Sequence, residues 1–438
     1  MSIQLPDSSV TSVKSSGSLL PAGPKRAFIL VTALFFLWGM SNNLTDILVQ
    51  QFRKSFELSA MQAQFVQTAV FFGYFCMAIP AALLMERKGY RGGILTGLIL
   101  FGTGTLCFWP AAITGHYGPF LFALFLVGCG SAVLETASNP FIAQSGTPAT
   151  AQRRLNFSQA FNPPGTITGV LLGTYFIFSG VELLPAQVME MKARGTYAAY
   201  LHSEIMRVVP VYVGLGALVF LWAFLIWRTP FHADRAVAES SPEGARFSDV
   251  LHSKYLWLAV MAQFFYVGAQ ISTWSALIPY LKQYTPLPER SAAQFLTACL
   301  VMFAIGRIAS TLFMRWVRPM TLVQIYALVN CGLLAFAVTH PGMSGAIALL
   351  TSSFFMAPMF PTIFAAGVEG LGRATKLGGS MIVMSVVGGA IIPPALGYLA
   401  REHASYALGY VVTGACYVVV AAYALVAVRR TNVVVSIN

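Results

Sequence analysis

Residues 27–50 read AFILVTALFFLWGMSNNLTDILVQ. A helix needs roughly 20 mostly apolar residues to cross a bilayer, and this run is that long. A secretory signal has an apolar region of only about 7–15 residues followed by a small-residue cleavage site. This run is longer and no such site follows it. Lys25 and Arg26 precede it, and the residues before them are polar and Ser-rich, with Lys14 the one base. The stretch predicts a first membrane span kept in the mature protein, behind a disordered cytoplasmic tail over 1–26. One residue does not belong in hydrocarbon: Asp46.

The rest of the chain repeats the pattern. Of 438 residues, 57% are hydrophobic and 10% charged, against about 25% charged in an average soluble domain. So little charge leaves a water-facing surface mostly apolar, which aggregates. An ordinary soluble enzyme and a disordered chain are excluded. The net charge of +12 would suit nucleic acid, but the bases sit in loops between apolar runs. Eleven further runs follow: 62–85, 92–113, 117–143, 155–178, 207–228, 255–283, 292–314, 320–339, 343–368, 375–400 and 405–428. Barrel strands would be about ten residues long and alternate in polarity; these are longer and continuous. The fold expected is all-α and integral to the membrane, with twelve transmembrane helices in two six-helix halves, 27–228 and 255–428. A charged cytoplasmic linker over 229–254 joins them, and a cytoplasmic tail over 429–438 closes the chain.

Lys and Arg set the orientation. With the N-terminus inside, 18 bases fall in cytoplasmic segments and 8 outside. Both termini are therefore expected in the cytoplasm. The halves read as a diverged repeat: Phe35-Phe36-Leu37-Trp38-Gly39 of span one against Phe264-Phe265-Tyr266-Val267-Gly268 of span seven, and Asn139-Pro140-Phe141 of span four against Phe360-Pro361-Thr362 of span ten. Repeats of this kind put a transporter's site near the midplane between them.

Much chemistry has no residues to carry it. The six histidines lie in loops or at span ends without ligand spacing, and the six cysteines sit in apolar runs with no C-x-x-C. No Gly-rich phosphate loop with its Lys is present. No metal, cofactor, nucleotide or nucleic acid is expected, nor enzymatic activity. Transport would draw on an ion gradient.

The sharpest signal is the acids. Thirteen of fifteen, Glu204 among them, are assigned to the tail or loops; Asp46 and Glu135 remain at membrane depth. A charged carboxylate on a lone helix costs about 2.5–3.5 kcal/mol or more at the bilayer centre. One membrane base, Arg307, is at hand, either as a gating or charge partner or as a base snorkelling from the inner end. The functional reading makes the two acids a proton relay, Asp46 towards the outside and Glu135 deeper. The alternative is a neutral, hydrogen-bonded structural acid. Polar residues share faces near them: Gly39, Asn43 and Asp46 on span one; Ser131, Glu135, Ser138 and Asn139 on span four; Gln159 and Asn162 on span five; Gln263, Tyr266, Gln270 and Trp274 on span seven. Amides on four helices suit a ligand rich in hydroxyls, where each alone could be interhelical glue. Trp38 and Trp274 could stack on a sugar ring or anchor at the lipid interface. Gly165, Gly169 and Gly173, four apart, predict close helix packing.

These residues resemble the fucose permease branch of the major facilitator superfamily (fucose–galactose–glucose/proton symporters), from about Ala27 to Val428. The resemblance rests on Leu37-Trp38 with Asn42-Asn43-Leu44-Thr45-Asp46-Ile47-Leu48, on Phe72-Gly73-Tyr74-Phe75, on Leu134-Glu135-Thr136-Ala137-Ser138-Asn139-Pro140-Phe141, on Gln159-Ala160-Phe161-Asn162 and on Tyr266-Val267-Gly268-Ala269-Gln270. It implies that Asp46 and Glu135 couple proton to sugar, and that Asn43, Gln159 and Asn162 line the sugar cavity. Trp38, Gln270, Trp274, Phe360 and Glu135 complete the expected sugar contacts. Fucose carriers have Tyr before the span-ten proline; Phe360 there looks more like the glucose/galactose branch. The function expected is monosaccharide import with a proton, L-fucose first, by a monomer in the inner membrane. A glucose/galactose-type symporter and, less so, a drug/proton antiporter are the alternatives.

Overall fold

The computed structural model describes residues 25–58, 62, 65–179, 183–231 and 250–437. The side chains of residues 46, 289, 290, 293, 373 and 431–437 lie outside that description, as do most of the N-terminal tail and most of the linker. All regular structure among the described residues is helical.

Ten helical stretches are long and apolar enough to cross a membrane. The first is α1 (Lys25–Ser55). The second holds two expected spans, because α2 (Phe65–Leu106) is interrupted at Gly89. There φ is +68°, a left-handed value that glycine adopts without a Cβ penalty, and the chain turns back between spans two and three. A short α3 (Phe108–Thr114) ends span three, and α4 (Tyr117–Gln144) is span four. Span five is absent from the ten because it is broken. It runs as α5 (Ala151–Gln159), then α6 (Asn162–Leu172), then a wider-wound turn over Gly173–Ile177. Pro163 and Pro164 cause the break, since neither has an N–H to continue the ladder. With it, the chain has its twelve spans.

Two short helices were not expected. The hydrophilic stretch after span five forms α7 (Pro185–Ala193) and α8 (Tyr197–Met206), and α8 runs almost directly into α9 (Val208–Arg228), span six. Span seven is α10 (Lys254–Ser275) and α11 (Leu277–Tyr284), parted at Ala276 ahead of Pro279. Spans eight and nine are α12 (Glu289–Phe313) and α13 (Pro319–Thr339). Span ten is α14 (Met343–Met356) and α15 (Met359–Val368), parted at Ala357-Pro358. Span eleven is α16 (Thr375–Met384) and α17 (Gly388–Glu402), joined by a tight turn. Span twelve, α18 (Tyr406–Ile437), continues past the expected end at Val428, where Arg430 lies over the Tyr255 ring.

Glycines decide how closely spans approach. A Cβ at Gly165 would overlap the Phe36 carbonyl, one at Gly169 the Met40 carbonyl, and one at Gly173 the Ile47 side chain. Span five therefore lies backbone-to-backbone on span one, as the fourfold spacing predicts. The C-terminal half repeats the device: Gly388 of span eleven meets the Phe264 carbonyl of span seven, and Gly268 meets Ile392. Spans one and seven, the helices with matching aromatic strings, thus occupy matching places.

The halves touch at the end of the bundle that carries loop 86–91. Lys376 Nζ donates to the Met85 carbonyl at 2.9 Å and stands over the Tyr90 ring. Asn156 Nδ2 donates to Thr362 Oγ1 at 3.0 Å, and Gly379 abuts the Pro140 ring. Arg153 faces Arg315 there, two like charges on opposite halves.

Candidate functional site

A run of hydrogen bonds crosses between the halves. Arg307, on α12, is 4% exposed; its Nη1 donates to Gln159 Oε1 at 2.9 Å. Gln159 ends α5, just before the proline break, and its Nε2 donates to Asn139 Oδ1 at 3.1 Å. Asn139 lies one turn beyond Glu135 on α4, beside the Glu135 carboxyl, and its Nδ2 is buried without a hydrogen-bond partner. Guanidinium groups only donate and each amide has one accepting oxygen. Arg307 therefore fixes Gln159 with its NH₂ group on the Asn139 oxygen, which leaves only the Asn139 NH₂ group free to donate.

Glu135 is 3% exposed, and among the described residues no cation is beside it. Its other neighbour is Tyr74 of span two. Tyr74 accepts a hydrogen bond from Trp38 Nε1 at 2.9 Å. Span two reaches Glu135 because Gly73 and Gly128 bring its backbone onto that of α4: a Cβ at Gly128 would overlap the Val70 carbonyl.

On the other half, Arg307 lies 5.0 Å from the Phe303 ring centroid, with Tyr266 nearby. Tyr266 donates to the Met356 carbonyl at 3.0 Å, where span ten is broken, and meets Phe360 edge-on at 6.5 Å. Trp274 donates to Ser353 Oγ at 3.2 Å and stands edge-on to Phe303.

The expected residues divide accordingly. Arg307 and Gln159 are joined by a hydrogen bond that continues to Asn139, one turn from Glu135, and Arg307 does not snorkel to a surface. Asn162 is half-buried on the span-one seam, donating to the Phe35 carbonyl at 3.3 Å. Trp38 and Trp274 turn their N–H groups inward, each bound to a hydroxyl of its own half. Asn43, Gln270 and Phe360 are half-buried. Asp46 lies on α1, but its side chain is outside the described residues.

Two expectations need correction. Gln263, placed on the cavity face of span seven, is fully buried within the C-terminal half, as is Tyr266. The deeper turns of α10 pack against spans ten, eleven and twelve, so only Gln270 and Trp274 stay partly open. Glu204, assigned to a loop, is buried on α8 and pairs with Lys54 at 3.3 Å, while Gln51 Nε2 donates to the same carboxylate oxygen at 3.2 Å. Among the described residues it is a second buried acid besides Glu135, neutralised at the end of span one.

Comparison with known proteins places this geometry. Residues 29–393 match the Major Facilitator Superfamily. The chain belongs to the Major Facilitator Superfamily. Within this superfamily it is 37% identical over 415 residues to the L-fucose-proton symporter of Escherichia coli (strain K12), covering 92% of this chain and 94% of that protein. It is 30% identical over 403 residues to the glucose/galactose transporter of Brucella abortus biovar 1 (strain 9-941), covering 91% and 93%. Among solved structures, a Major Facilitator Superfamily transporter, FucP, in the outward conformation superposes with a TM-score of 0.84 at 37% identity, over 91% of this chain and 98% of that one.

Sequence reading named Asn139 only as one member of a polar face and gave Tyr74 no role. The signal for Tyr74 was there: it is the one hydroxyl in the aromatic string Phe71-Phe72-Gly73-Tyr74-Phe75, and a lone hydroxyl at membrane depth needs a partner.

Proposed function

We propose that the chain imports a monosaccharide together with a proton by alternating access, with L-fucose the first candidate. The observation that carries this reading is the hydrogen-bonded chain Arg307–Gln159–Asn139, which ends beside a buried carboxyl with no counter-cation among the described residues. Carrying a bare carboxylate through an occluded state in low dielectric is costly. A proton removes that cost, and Glu135, with Asp46 on the outer part of span one, is the group that takes it up. The sugar then binds between the halves. Its hydroxyls compete for the amides of Gln159 and Asn162, with Asn43 and Gln270 at the sides and the indoles of Trp38 and Trp274 near its faces. Arg307 senses this directly, because its partner Gln159 belongs to the opposite half.

The setting of this reading is the cell inner membrane, with several passes, both termini cytoplasmic and a monomer as the working unit. Lys and Arg distribution supports it, and it makes the closed seam around Lys376 the cytoplasmic gate. The superposition on a transporter in the outward conformation agrees. Phe360 supports a second sugar specificity. It stands where fucose carriers have Tyr, offers no hydroxyl, and matches the glucose/galactose branch, of which a 30% identical relative is known.

The test is uptake in proteoliposomes under an imposed inward proton gradient, with radiolabelled L-fucose, D-galactose and D-glucose. Asp46→Asn and Glu135→Gln are expected to lose accumulation against a sugar gradient. If both variants still accumulate, the coupling assignment is wrong. Inhibition by lipophilic cations rather than by sugars would instead indicate a drug/proton antiporter.

A further inference from the structure

We propose that Phe303 of span eight is a positioning residue: its ring holds the Arg307 guanidinium on Gln159 of the opposite half and ties that contact to Trp274. The proposal rests on the sugar reading of Trp274 and Gln159 and adds a residue to it.

The helix itself sets up the first contact. Phe303 and Arg307 lie one turn apart on α12. Helical side chains lean towards the N-terminus, so each covers the turn before its own. The Arg307 guanidinium accordingly lies over the Phe303 ring, 5.0 Å from its centroid. Both residues are buried, Phe303 at 6% exposure and Arg307 at 4%. A cation within about 6 Å of a ring face is attracted to it, and more strongly where water is excluded. The attraction matters because this guanidinium is thinly held. It has five N–H donors; among the described residues Nη1 meets Gln159 Oε1 at 2.9 Å, and Nε is buried with no hydrogen-bond partner. Gln159 belongs to the other half. The Phe303 ring is the surface on its own helix that keeps Arg307 aimed across the gap.

The second contact leads to the expected sugar platform. Trp274 and Phe303 meet edge to face, with centroids 5.2 Å apart and planes at 86°, an arrangement aromatic pairs favour. The indole is fixed at its other end, where Nε1 donates to Ser353 Oγ of span ten at 3.2 Å. Gly306 seats α12 directly on that span, since a Cβ there would overlap the Phe354 carbonyl. Spans seven, eight and ten thus hold Trp274, Phe303 and Arg307 in one row, and the row ends on Gln159. Coupling along such a row needs an element with two states. The Arg307–Gln159 bond is one: made while the halves meet at this level, broken when they part. A sugar seated on Trp274 bears on one end of the row, and Phe303 relays it to the other.

The test uses the full-length protein with its six native cysteines replaced and a Ser380→Cys probe. Ser380 is buried, next to Gly379, which abuts the Pro140 ring of the other half. The rate of maleimide labelling in detergent reports how often the halves part there. Phe303 is replaced by mono-, di- and trifluorinated phenylalanine, which keep the shape of the ring while draining charge from its face. The rate is expected to rise with each fluorine, reaching about tenfold in Phe303→Leu. In a Gln159→Leu background the same series should be flat. A flat series with Gln159 present overturns the proposal, and so does an equal rise with Gln159 absent. Because the fluorinated rings fill the same space, a role in packing alone predicts the flat result. L-fucose, D-galactose and D-glucose are then added in turn. A sugar that changes the wild-type rate should change it less in Phe303→Leu; a full response there overturns the link to Trp274. No response of the wild type to any of the three counts against the sugar reading, while the fluorine series still decides whether Phe303 holds Arg307.

Discussion

Replacing Lys376 by Met tests whether the seam near loop 86–91 is the gate. Lys376 is half-buried at the start of α16, and it makes two contacts that exist only while the halves are together there: a 2.9 Å hydrogen bond to the Met85 carbonyl and a position 4.9 Å over the Tyr90 ring. A hydrogen bond with one charged partner contributes about 1.5–3 kcal/mol, and an exposed cation–π contact about 0.5–1 kcal/mol. Partial exposure moves both to the low end, so about 2 kcal/mol of preference for the closed seam disappears. Met keeps the length and apolar stem, leaving packing nearly unchanged. About 1.4 kcal/mol is a tenfold change in an equilibrium, so the seam-open population should rise roughly thirtyfold. The repulsion between Arg153 and Arg315 works in the same direction and is left untouched. The readout is alkylation. Ser380 is fully buried in α16 and its hydroxyl bonds only to the local Leu377 carbonyl. A Ser380→Cys probe, in a background lacking the six native cysteines, reports opening through its rate of reaction with a maleimide added from the side that carries loop 86–91. A rate within twofold of the Lys376 background would show that these contacts do not hold the gate.

Two further outcomes follow from packing. Gly165→Val should abolish folded yield, because its Cβ overlaps the Phe36 carbonyl and backbones cannot yield as side chains do; Gly214→Val, with nothing within 4 Å of a Cβ there, should elute normally in size exclusion, and the same result for both would refute the span-one contact. Glu204→Gln removes the charge facing Lys54 while keeping an acceptor for Gln51. Because Lys54 is partly open to water and can rehydrate, the loss should be about 1 kcal/mol, lowering the melting temperature in detergent by about 2–4 °C, and an unchanged melt would show that the pair adds nothing.

What was legible in the sequence depended on period and on solvent. Continuous apolar runs can be read one at a time, so the spans, the glycine stripe of span five and the misplaced carboxylate at Glu135 were all visible before any coordinates. Pairings between distant positions were not. Glu204 looked like a loop acid because its helix is short and amphipathic, and only the end of span one, some 150 positions away, shows that it is neutralised by Lys54. Gln263 has the same spacing from Gln270 as any cavity residue would; what buries it is the packing of three other spans on the same stripe of α10. Arg307 offered two readings because an arginine at a helix end and one at an interface look alike in sequence. Its partner, Gln159, lies on the other half.

The arrangement around Glu135 also explains why a proton, rather than a fixed cation, is suited to neutralise it. An arginine beside the carboxyl would make a permanent pair, stable in every conformation and silent to pH. Among the described residues, the cation of the site stands two amides away and on the opposite half. Two interposed amides transmit orientation but little Coulomb attraction. When the halves rock apart at this level, the Arg307–Gln159 bond must break, since it joins one half to the other. The amides then lose the group that aligns them, and Asn139 is free to turn from Glu135. On the proposed reading, coupling therefore depends on the bond by which Arg307 of one half holds Gln159 of the other: Gln159→Leu should uncouple sugar from proton in the proteoliposome assay as severely as a change at Glu135 itself.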